Sequence, residues 1–261
     1  MQLTDNDYSN LWLSILETQP DFAIEILDKP RGLFSLTKKS TNQKILILGA
    51  NVSVNNSVAW SIARNKYLSH KIIEIALNGQ LTRRYDVLPF NFEPEKLQQF
   101  FEDSGNKVVI KPLDMYQARG ITFLPANMAA VQTAIAKVKA HSRGSHFLIE
   151  EYFAAKQEFK IIVSKQKILQ VIFNFKSETH YFAIEEMHPD YHEIVLKIAQ
   201  HSQLSYFGID LMTTDITAKP TKKTAYINEI NSNPGPFITK KADQVANNNY
   251  AGLKEIVHSW F

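Results

Sequence analysis

The sequence predicts an α+β protein of two lobes, because strand and helix patterns alternate in its middle and a hairpin opens its second half. Between residues 85 and 149 the pattern runs strand, helix, strand, strand, helix, strand, which is typical of a small α+β lobe. Residues 159–163 and 168–173 are rich in β-branched and aromatic side chains and flank the polar turn 164–166, which predicts a hairpin. A chain of 261 residues is long enough for one large domain or two closely packed lobes.

The N-terminal part of the chain is predicted to contain a helix, a strand and a longer helix. Residues 8–18 carry apolar side chains at helical spacing, namely Leu11, Trp12, Ile15 and Leu16. After a patch rich in lysine, serine and threonine, the apolar run 45–48 predicts a strand. Residues 58–76 follow with a helical pattern, and Asn56 or Ser57 is a candidate N-cap.

The remaining elements are predicted from the same two periodicities. Further strands are predicted at 85–88, 108–110, 121–124, 147–149, 207–212 and 224–230. Helices are predicted at 93–103, 127–141, 190–201 and 240–258. Residues 231–236 are predicted to be irregular because they contain two prolines and a glycine.

Acidic and amide side chains near the ends of two predicted strands indicate a metal site. Glu229 and Asn231 are two residues apart, so they face the same side of a strand, and Asp210 ends a strand that could lie beside it. Two carboxylates and an amide oxygen suit a hard cation such as Mg²⁺. On spacing alone, a solvated strand end with cap and turn residues is an equally good interpretation.

Two lysines are candidates for phosphate binding. Lys111 follows the apolar strand 108–110 and precedes Pro112, and Lys66 lies in the second predicted helix. A lysine held at a strand end can serve as a point charge for phosphate. Taken alone, each is more often a surface lysine.

A further candidate binding segment follows the predicted strand 147–149. It consists of Glu150, Glu151, Tyr152 and Phe153, and Glu158 lies shortly after it. Free backbone groups at the end of an apolar strand can hydrogen-bond an adenine, and a carboxylate nearby can accept from ribose hydroxyls. An acidic loop between two strands is the alternative.

Four stretches, in this order, resemble the ATP-grasp superfamily, above all the ligase domain of cyanophycin synthetase and the ATP-grasp half of bifunctional glutathione synthetases. They are residues 62–69, 109–114 with 119–122, 149–152, and 208–210 with 215–216 and 229–235. The resemblance covers roughly residues 45–236. It implies an α+β ATP-grasp fold whose two lobes clasp the nucleotide. In this division, residues 1–44 are an N-terminal extension and 45–261 are the ATP-grasp domain, with a lid subdomain at about 82–153.

The resemblance also implies roles for the candidate residues. Lys111, Arg119 and Asn231 would be catalytic, and Asp210, Glu229 and Asn231 would bind Mg²⁺. The ATP-binding residues would be Lys66, Lys111, Glu150, Glu151, Tyr152, Phe153 and Glu158. The implied activity is an ATP- and Mg²⁺-dependent, ADP-forming ligase that joins the carboxylate of an amino acid or peptide to an amine through an acyl phosphate. Such chemistry needs charge neutralisation and alignment more than a protein nucleophile.

Three features depart from the family pattern. The lid loop has few glycines, since residues 115–118 precede Arg119 and Gly120. Either the loop is stiffer than in the family, or it binds phosphate through Arg119 and other side chains instead of backbone N–H groups. Gly208 lies where many ATP-grasp ligases have an arginine, as in the cyanophycin-like branch. Residues 1–44 are too few for the usual N-terminal domain, which predicts a reduced chain, a homodimer or a partner protein that supplies the domain.

Composition excludes several classes of function. The net charge is only +3, from 29 basic and 26 acidic residues, which argues against nucleic acid and membrane surfaces as partners. The absence of cysteine excludes disulfides, thiolate metal sites and a cysteine nucleophile. An acidic, polar N-terminus is unlike a signal peptide, and the apolar runs are short, so a cytoplasmic protein is expected. A degenerate ATP-grasp binding module without ligase activity, and a kinase that stops at the acyl phosphate, remain alternatives.

Overall fold

The computed structural model describes residues 7–115, 119–175, 178–232, 234–235 and 251–261. Its helices are α1 (Asp7–Leu16), α2 (Ser57–Ala63), α3 (Lys66–Ala76), α4 (Pro94–Asp103), α5 (Met128–His141), α6 (Pro189–Ser202) and α7 (Ala251–Ser259), with a 3₁₀ turn at Ile184–Glu186. The first eight strands are β1 (Phe22–Asp28), β2 (Leu33–Lys38), β3 (Gln43–Leu48), β4 (Asn51–Val52), β5 (Tyr85–Pro89), β6 (Val108–Pro112), β7 (Thr122–Phe123) and β8 (His146–Glu151). The rest are β9 (Gln157–Ser164), β10 (Lys167–Phe175), β11 (Glu178–Phe182), β12 (Tyr206–Thr213) and β13 (Ala225–Asn231).

An N-terminal antiparallel sheet, ordered β1-β2-β3-β4, occupies the region where only β3 was predicted. Strand β1 lies at the edge of this sheet, and only its first residue, Phe22, is buried, so its sequence lacks a strong apolar alternation. Strand β2 was missed as well, because polar Ser35 is buried within it and interrupts the expected alternation. The predicted domain boundary between residues 44 and 45 falls inside β3.

The central sheet has the order β11-β10-β9-β12-β13 and is covered on both faces. Alternate residues of β9 point to opposite faces, as a pleated strand requires, so Ile161 and Ile162 enter different cores. Helices α2, α3 and α6 pack on the face of Ile161. The N-terminal sheet, α1 and α7 pack on the face of Ile162, where Trp12 and Trp260 meet edge to face at 5.2 Å.

The third sheet, ordered β5-β8-β6-β7, packs against α4 and α5 around its own core. It is the α+β lobe that the sequence predicted between residues 85 and 149. Strand β8 lies in its interior, paired with β5 on one side and β6 on the other.

The single helix predicted over 58–76 is wrong, because the chain breaks it into α2 and α3. The break lies at Arg64 and Asn65, where Asn65 has an extended backbone and its side chain accepts hydrogen bonds from Tyr67 N and Leu68 N. An asparagine N-cap of this kind satisfies the first free N–H groups of a new helix. Lys66 therefore begins α3.

The C-terminal helix is described from Ala251 onwards, and residues 240–250 of the predicted helix 240–258 lie outside the described residues. No helix in the described ranges has both the length and the apolar character needed to cross a membrane.

Candidate active site

A cavity of about 970 Å³ lies between the third sheet and the central sheet. Most of the predicted site residues line it, namely Lys66, Lys111, Glu150, Tyr152, Phe153, Glu158, Asp210, Glu229 and Asn231. Two predicted residues are not among its lining. Glu151 N donates a hydrogen bond to Arg84 O (2.9 Å), and Arg119 is exposed, directly after residues outside the described ranges. Their predicted roles stay predictions.

The acidic edge of the cavity is built by the pairing of β12 with β13. Asp210 lies opposite Glu229 and Gly208 opposite Asn231, so all three candidate metal ligands point to one face. The Asn231 side-chain amide donates to Asp210 Oδ2 across 2.9 Å. The predicted geometry of this cluster is therefore found in the structure.

A β-bulge next to this edge turns one extra side chain toward the neighbouring sheet. Asp210 pairs with Glu229 but Leu211 pairs with Ile227, which leaves Asn228 as the additional residue. Asn228 Oδ1 accepts a hydrogen bond from Lys111 Nζ (2.8 Å). No local sequence pattern predicted this bulge.

The electrostatics of the edge favour a cation. Burial raises the pKa of Glu229, the charge of Asp210 raises it further, and Lys66 opposes both effects. Burial and the negative charge of Asp210 likewise raise the pKa of Glu158. A bound positive ion would reduce the electrostatic repulsion between carboxylates placed this close together.

The donor set fits Mg²⁺, which needs only one or two carboxylates because water and phosphate oxygens complete its shell. Asp210 and Glu229 provide the carboxylates and Asn231 an amide oxygen. In the part of the chain that the structure describes, no group of three or more His, Cys, Asp or Glu side chains is placed to hold a metal ion.

Lys160 is a cavity residue that the sequence analysis missed. It lies directly opposite Asp210 in the β9–β12 pairing, and its Nζ forms an ion pair with Asp210 Oδ1. Its stem passes over Gly208, where an added Cβ would be 3.6 Å from Lys160 Cγ and 3.4 Å from Pro234 Cβ. The absence of a side chain at Gly208 thus leaves room for the side chain of Lys160 from the neighbouring strand. The sequence could have indicated it, because Lys160 lies two residues after Glu158 and therefore faces the same side of the strand.

Lys111 is buried rather than exposed at a strand end, with only 4% of its surface accessible. Its Nζ pairs with Glu150 Oε1, and Glu150 is 2% exposed. The other oxygen of Glu150 accepts from the Tyr226 hydroxyl (3.1 Å) and lies 3.2 Å from His70 Nε2. Burial raises the pKa of Glu150, but the charge of Lys111 and the contact with His70 outweigh it and hold the pKa at about 2.

Lys66 connects the segment that follows β6 to the acidic edge. Its backbone N donates to Leu113 O (3.0 Å), its Nζ donates to Met115 O, and the same Nζ lies 3.8 Å from Glu229 Oε2. Burial lowers the pKa of Lys66, the nearby charge of Glu229 raises it, and that of Lys111 lowers it. A half-desolvated lysine in this position is a point charge available to an anion.

The predicted adenine-binding segment has fewer free backbone groups than the sequence suggested. Tyr152 N donates to Lys107 O (2.8 Å), and Phe153 O accepts from Ala155 N (3.0 Å). Among the described backbone hydrogen bonds, the N–H of Phe153 takes part in none, so it remains a donor at the cavity wall. The ring of Phe153 is covered by Arg83, whose Cζ lies 4.3 Å from its centre.

The fold is similar to that of solved ATP-grasp ligases. A D-alanine–D-alanine ligase from Bacillus anthracis in complex with ATP is 19% identical, with a TM-score of 0.60 over 79% of this chain and 67% of that one. A bifunctional glutathione synthetase from Pasteurella multocida is 14% identical, with a TM-score of 0.59 over 96% of this chain and 44% of that one.

The ATP-grasp ligase PsnB, solved with a minimal precursor, Mg and ADP, is also similar, at 15% identity and a TM-score of 0.55 over 77% of this chain and 62% of that one. The chain thus spans less than half of the glutathione synthetase and under two thirds of PsnB. No curated protein matches the sequence.

These likenesses confirm the predicted ATP-grasp fold and the predicted likeness to glutathione synthetase. The family model of the RimK-like ATP-grasp domain matches residues 63–252. The chain therefore belongs to the RimK-like ATP-grasp family, whose enzymes use the predicted cofactors, ATP and Mg²⁺.

Proposed function

We propose that the protein is an ATP- and Mg²⁺-dependent ligase that joins the carboxylate of an amino acid or peptide to an amine, with an acyl phosphate on the way and ADP as a product. One observation carries the proposal. The buried Lys111 and the partly buried Lys66 share a cavity with the acidic edge of Asp210, Glu229 and Asn231. Such a cavity can neutralise a polyphosphate from two sides while a substrate carboxylate approaches it.

Each side chain then has a definable task. Asp210, Glu229 and Asn231 hold the cation, and Lys66 and Lys111 offset phosphate charge. The N–H of Phe153 is the donor available to a nucleobase, and Glu158 is an acceptor for ribose hydroxyls. When bound, ATP supplies the phosphoryl group and Mg²⁺ compensates the charge that develops during its transfer.

Glu150 acts through Lys111 in this proposal instead of touching the nucleotide. Its carboxylate is already engaged by Lys111, His70 and Tyr226. Because Lys111 also donates to Asn228, its ammonium group is fixed by two acceptors from different sheets. A lysine held in this way loses little conformational entropy when an anion arrives.

Lys66 is proposed to couple the position of the lid to the acidic edge. It begins α3 and contacts two backbone groups of the segment that follows β6, Leu113 and Met115. A movement of the lid, about residues 82–153, would therefore shift Lys66 and change the distance between its ammonium group and the Glu229 carboxylate. We also propose that residues 45–261 form the ATP-grasp domain and contain this lid. A cytoplasmic location is likewise part of the proposal.

The test is phosphate release from ATP and Mg²⁺ in the presence of a panel of amino acids and dipeptides. We expect release to rise with one acid–amine pair and an amide product to accumulate. Lys111→Met should abolish release, while Lys96→Met, which changes an exposed lysine on α4 outside the cavity, should leave it unchanged. Release without an amide would indicate a kinase, and ATP binding without release would indicate the degenerate module.

A further inference from the structure

Part of the cavity wall is formed by the N-terminal segments of the same chain. The contributing residues are Tyr8 of α1, Arg31 in the turn before β2, and the turn from Leu48 to Asn51 between β3 and β4. Helix α2 adds Trp60, and Arg64, which directly follows the helix, also lines the cavity. None of these residues belongs to the predicted nucleotide or metal sites, so this part of the wall has no assigned ligand.

The cavity runs along β12 and β13, with the acidic edge between its two ends. Phe153 packs against Tyr226 at 6.1 Å, and Tyr226 pairs with Met212 at one end of the strands. Asp210 and Glu229 lie further along, and Gly208 and Asn231 beyond them. Each residue advances a strand by about 3.3 Å, so the proposed nucleobase end and the Ser232 end are separated by the metal edge.

The part of the N-terminal wall formed by α1 lies at the Ser232 end. Tyr8 packs so closely on Gly235 that an added Cβ there would be 2.8 Å from Tyr8 Cε1. The Tyr206 hydroxyl donates to Pro234 O (3.0 Å), so the segment after the metal edge is held between α1 and the central sheet. This part of the wall therefore lies on the side of the metal edge opposite the proposed nucleobase end.

A buried serine makes this wall a single unit. Ser9 is 0% exposed, and its Oγ donates to Gly32 O (2.6 Å) and accepts from Gly49 N (3.1 Å). It thereby ties α1 to both turns, next to Tyr8 and Arg31. A surface that is already rigid favours ligand binding, because less conformational entropy is lost when the ligand binds.

Arg64 is the source of positive charge on this wall. Arg64 Cζ lies 4.4 Å above the ring of Trp60, and within the described ranges Arg64 forms no ion pair. Arg31 is paired with Asp28 at 2.6 Å. The acidic residues that line the cavity all come from the third sheet, the lid segment or the central sheet, namely Asp114, Glu150, Glu158, Asp210 and Glu229. An anionic group is therefore the complement of this end of the cavity.

We propose that the N-terminal sheet and α1, within the same chain, form one wall of the site for the second substrate, here called the second-substrate wall. We propose further that Arg64 selects a substrate with a free carboxylate. A guanidinium group presents two parallel N–H donors to a carboxylate, and the flat face of Trp60 holds that group in one orientation. The inference rests on the proposed ligase function and deepens it. In this proposal the wall supplies, within the same chain, a surface that the sequence analysis expected from a partner protein.

The test compares probes that differ only in carboxylate charge, N-acetyl-alanine with its amide and Ala-Ala with its amide. Their dissociation constants are measured by calorimetry on the full chain, with and without MgADP. In the wild type the carboxylates should bind about tenfold or more tightly than the amides. In Arg64→Gln the ratio should fall to about one, while MgADP binding stays unchanged.

Arg84→Gln is the matched control, because Arg84 lies 4.9 Å over Phe100 outside the cavity and should keep the wild-type ratio. Three results would overturn the inference: equal binding of acids and amides by the wild type, an unchanged ratio in Arg64→Gln, or weaker MgADP binding in that variant. No binding of any carboxylate to a protein that binds MgADP would do the same. Failure to bind MgADP counts against the proposed ligase alone, since the ratio is also measured without nucleotide.

Discussion

The hydroxyl group of Tyr226 donates a hydrogen bond to Glu150 Oε2 across 3.1 Å, and this contact joins the third sheet to the central sheet. Lys111 and His70 converge on the same carboxylate. All four side chains are buried, so the two lobes meet through a desolvated polar cluster rather than through apolar packing alone. Such a cluster is strongly destabilised when one partner is removed, because the remaining charge stays buried.

Lys111→Met should therefore reduce stability as well as activity. It leaves the carboxylate of Glu150 without its main partner, which costs about 3–5 kcal/mol in comparable buried pairs. Urea unfolding measures the loss. The double variant Lys111→Met/Glu150→Gln should recover most of the stability but none of the turnover, and a single variant as stable as the wild type would show that the pair is not desolvated.

The stabilising effect of Glu150 should depend on pH with a defined sign. Its pKa of about 2 lies below the ordinary value of 4.5, so ionised Glu150 stabilises the native state above pH 4.5. As the pH falls from 4.5 toward 2, about 3 kcal/mol should be lost. The measurement is the difference in unfolding free energy between the wild type and Glu150→Gln over this range. A constant difference would contradict the assignment.

The two neighbouring asparagines of the bulged strand should respond differently to substitution. Asn231→Ala removes a proposed cation ligand and should raise the Mg²⁺ concentration for half-maximal activity about tenfold. Asn228→Ala removes an acceptor of Lys111 and should lower turnover with little change in the Mg²⁺ requirement. Magnesium titrations of both variants at saturating ATP test this, and identical titration curves would argue against Asn231 as a ligand.

Lys160→Met should lower activity although Lys160 was not among the predicted residues. Its loss leaves Asp210 and Glu229 facing each other without the nearest cation, so the edge becomes more repulsive. Lys160→Arg should retain part of the activity, since Gly208 leaves space for the stem. Lys167→Met on β10, which changes a lysine paired at the surface with Glu255, is the control. Full activity of Lys160→Met would remove Lys160 from the site.

Ser9→Ala should loosen the N-terminal wall. Gly32 O and Gly49 N lose their buried partner, which costs about 1–3 kcal/mol. Ser14→Ala, on the exposed side of the same helix, should change stability by about 0.5 kcal/mol or less. Chemical unfolding compares the two, and weaker binding of the carboxylate probes by Ser9→Ala alone would link the wall to substrate binding.

The sequence predicted what depends on local patterns. Spacing predicted that Glu229 and Asn231 share one face, because side chains on a strand alternate with a two-residue period. That the strand of Asp210 could lie beside them was a hypothesis, which the β12–β13 pairing agrees with. Features that depend on distant partners were not predictable. Lys160 meets Asp210 only because β9 and β12 are neighbours, and the burial of Lys111 follows from contacts with Glu150 and Asn228 in other strands.

The positions of the tryptophans have an optical consequence. The chain contains three of them, and Trp12 and Trp260 contact each other in the core formed by α1 and α7. Trp60 alone lines the cavity, beneath Arg64. Intrinsic fluorescence therefore separates into two reporters: emission from Trp60 follows occupancy of the second-substrate wall, while the buried pair follows the integrity of the fold.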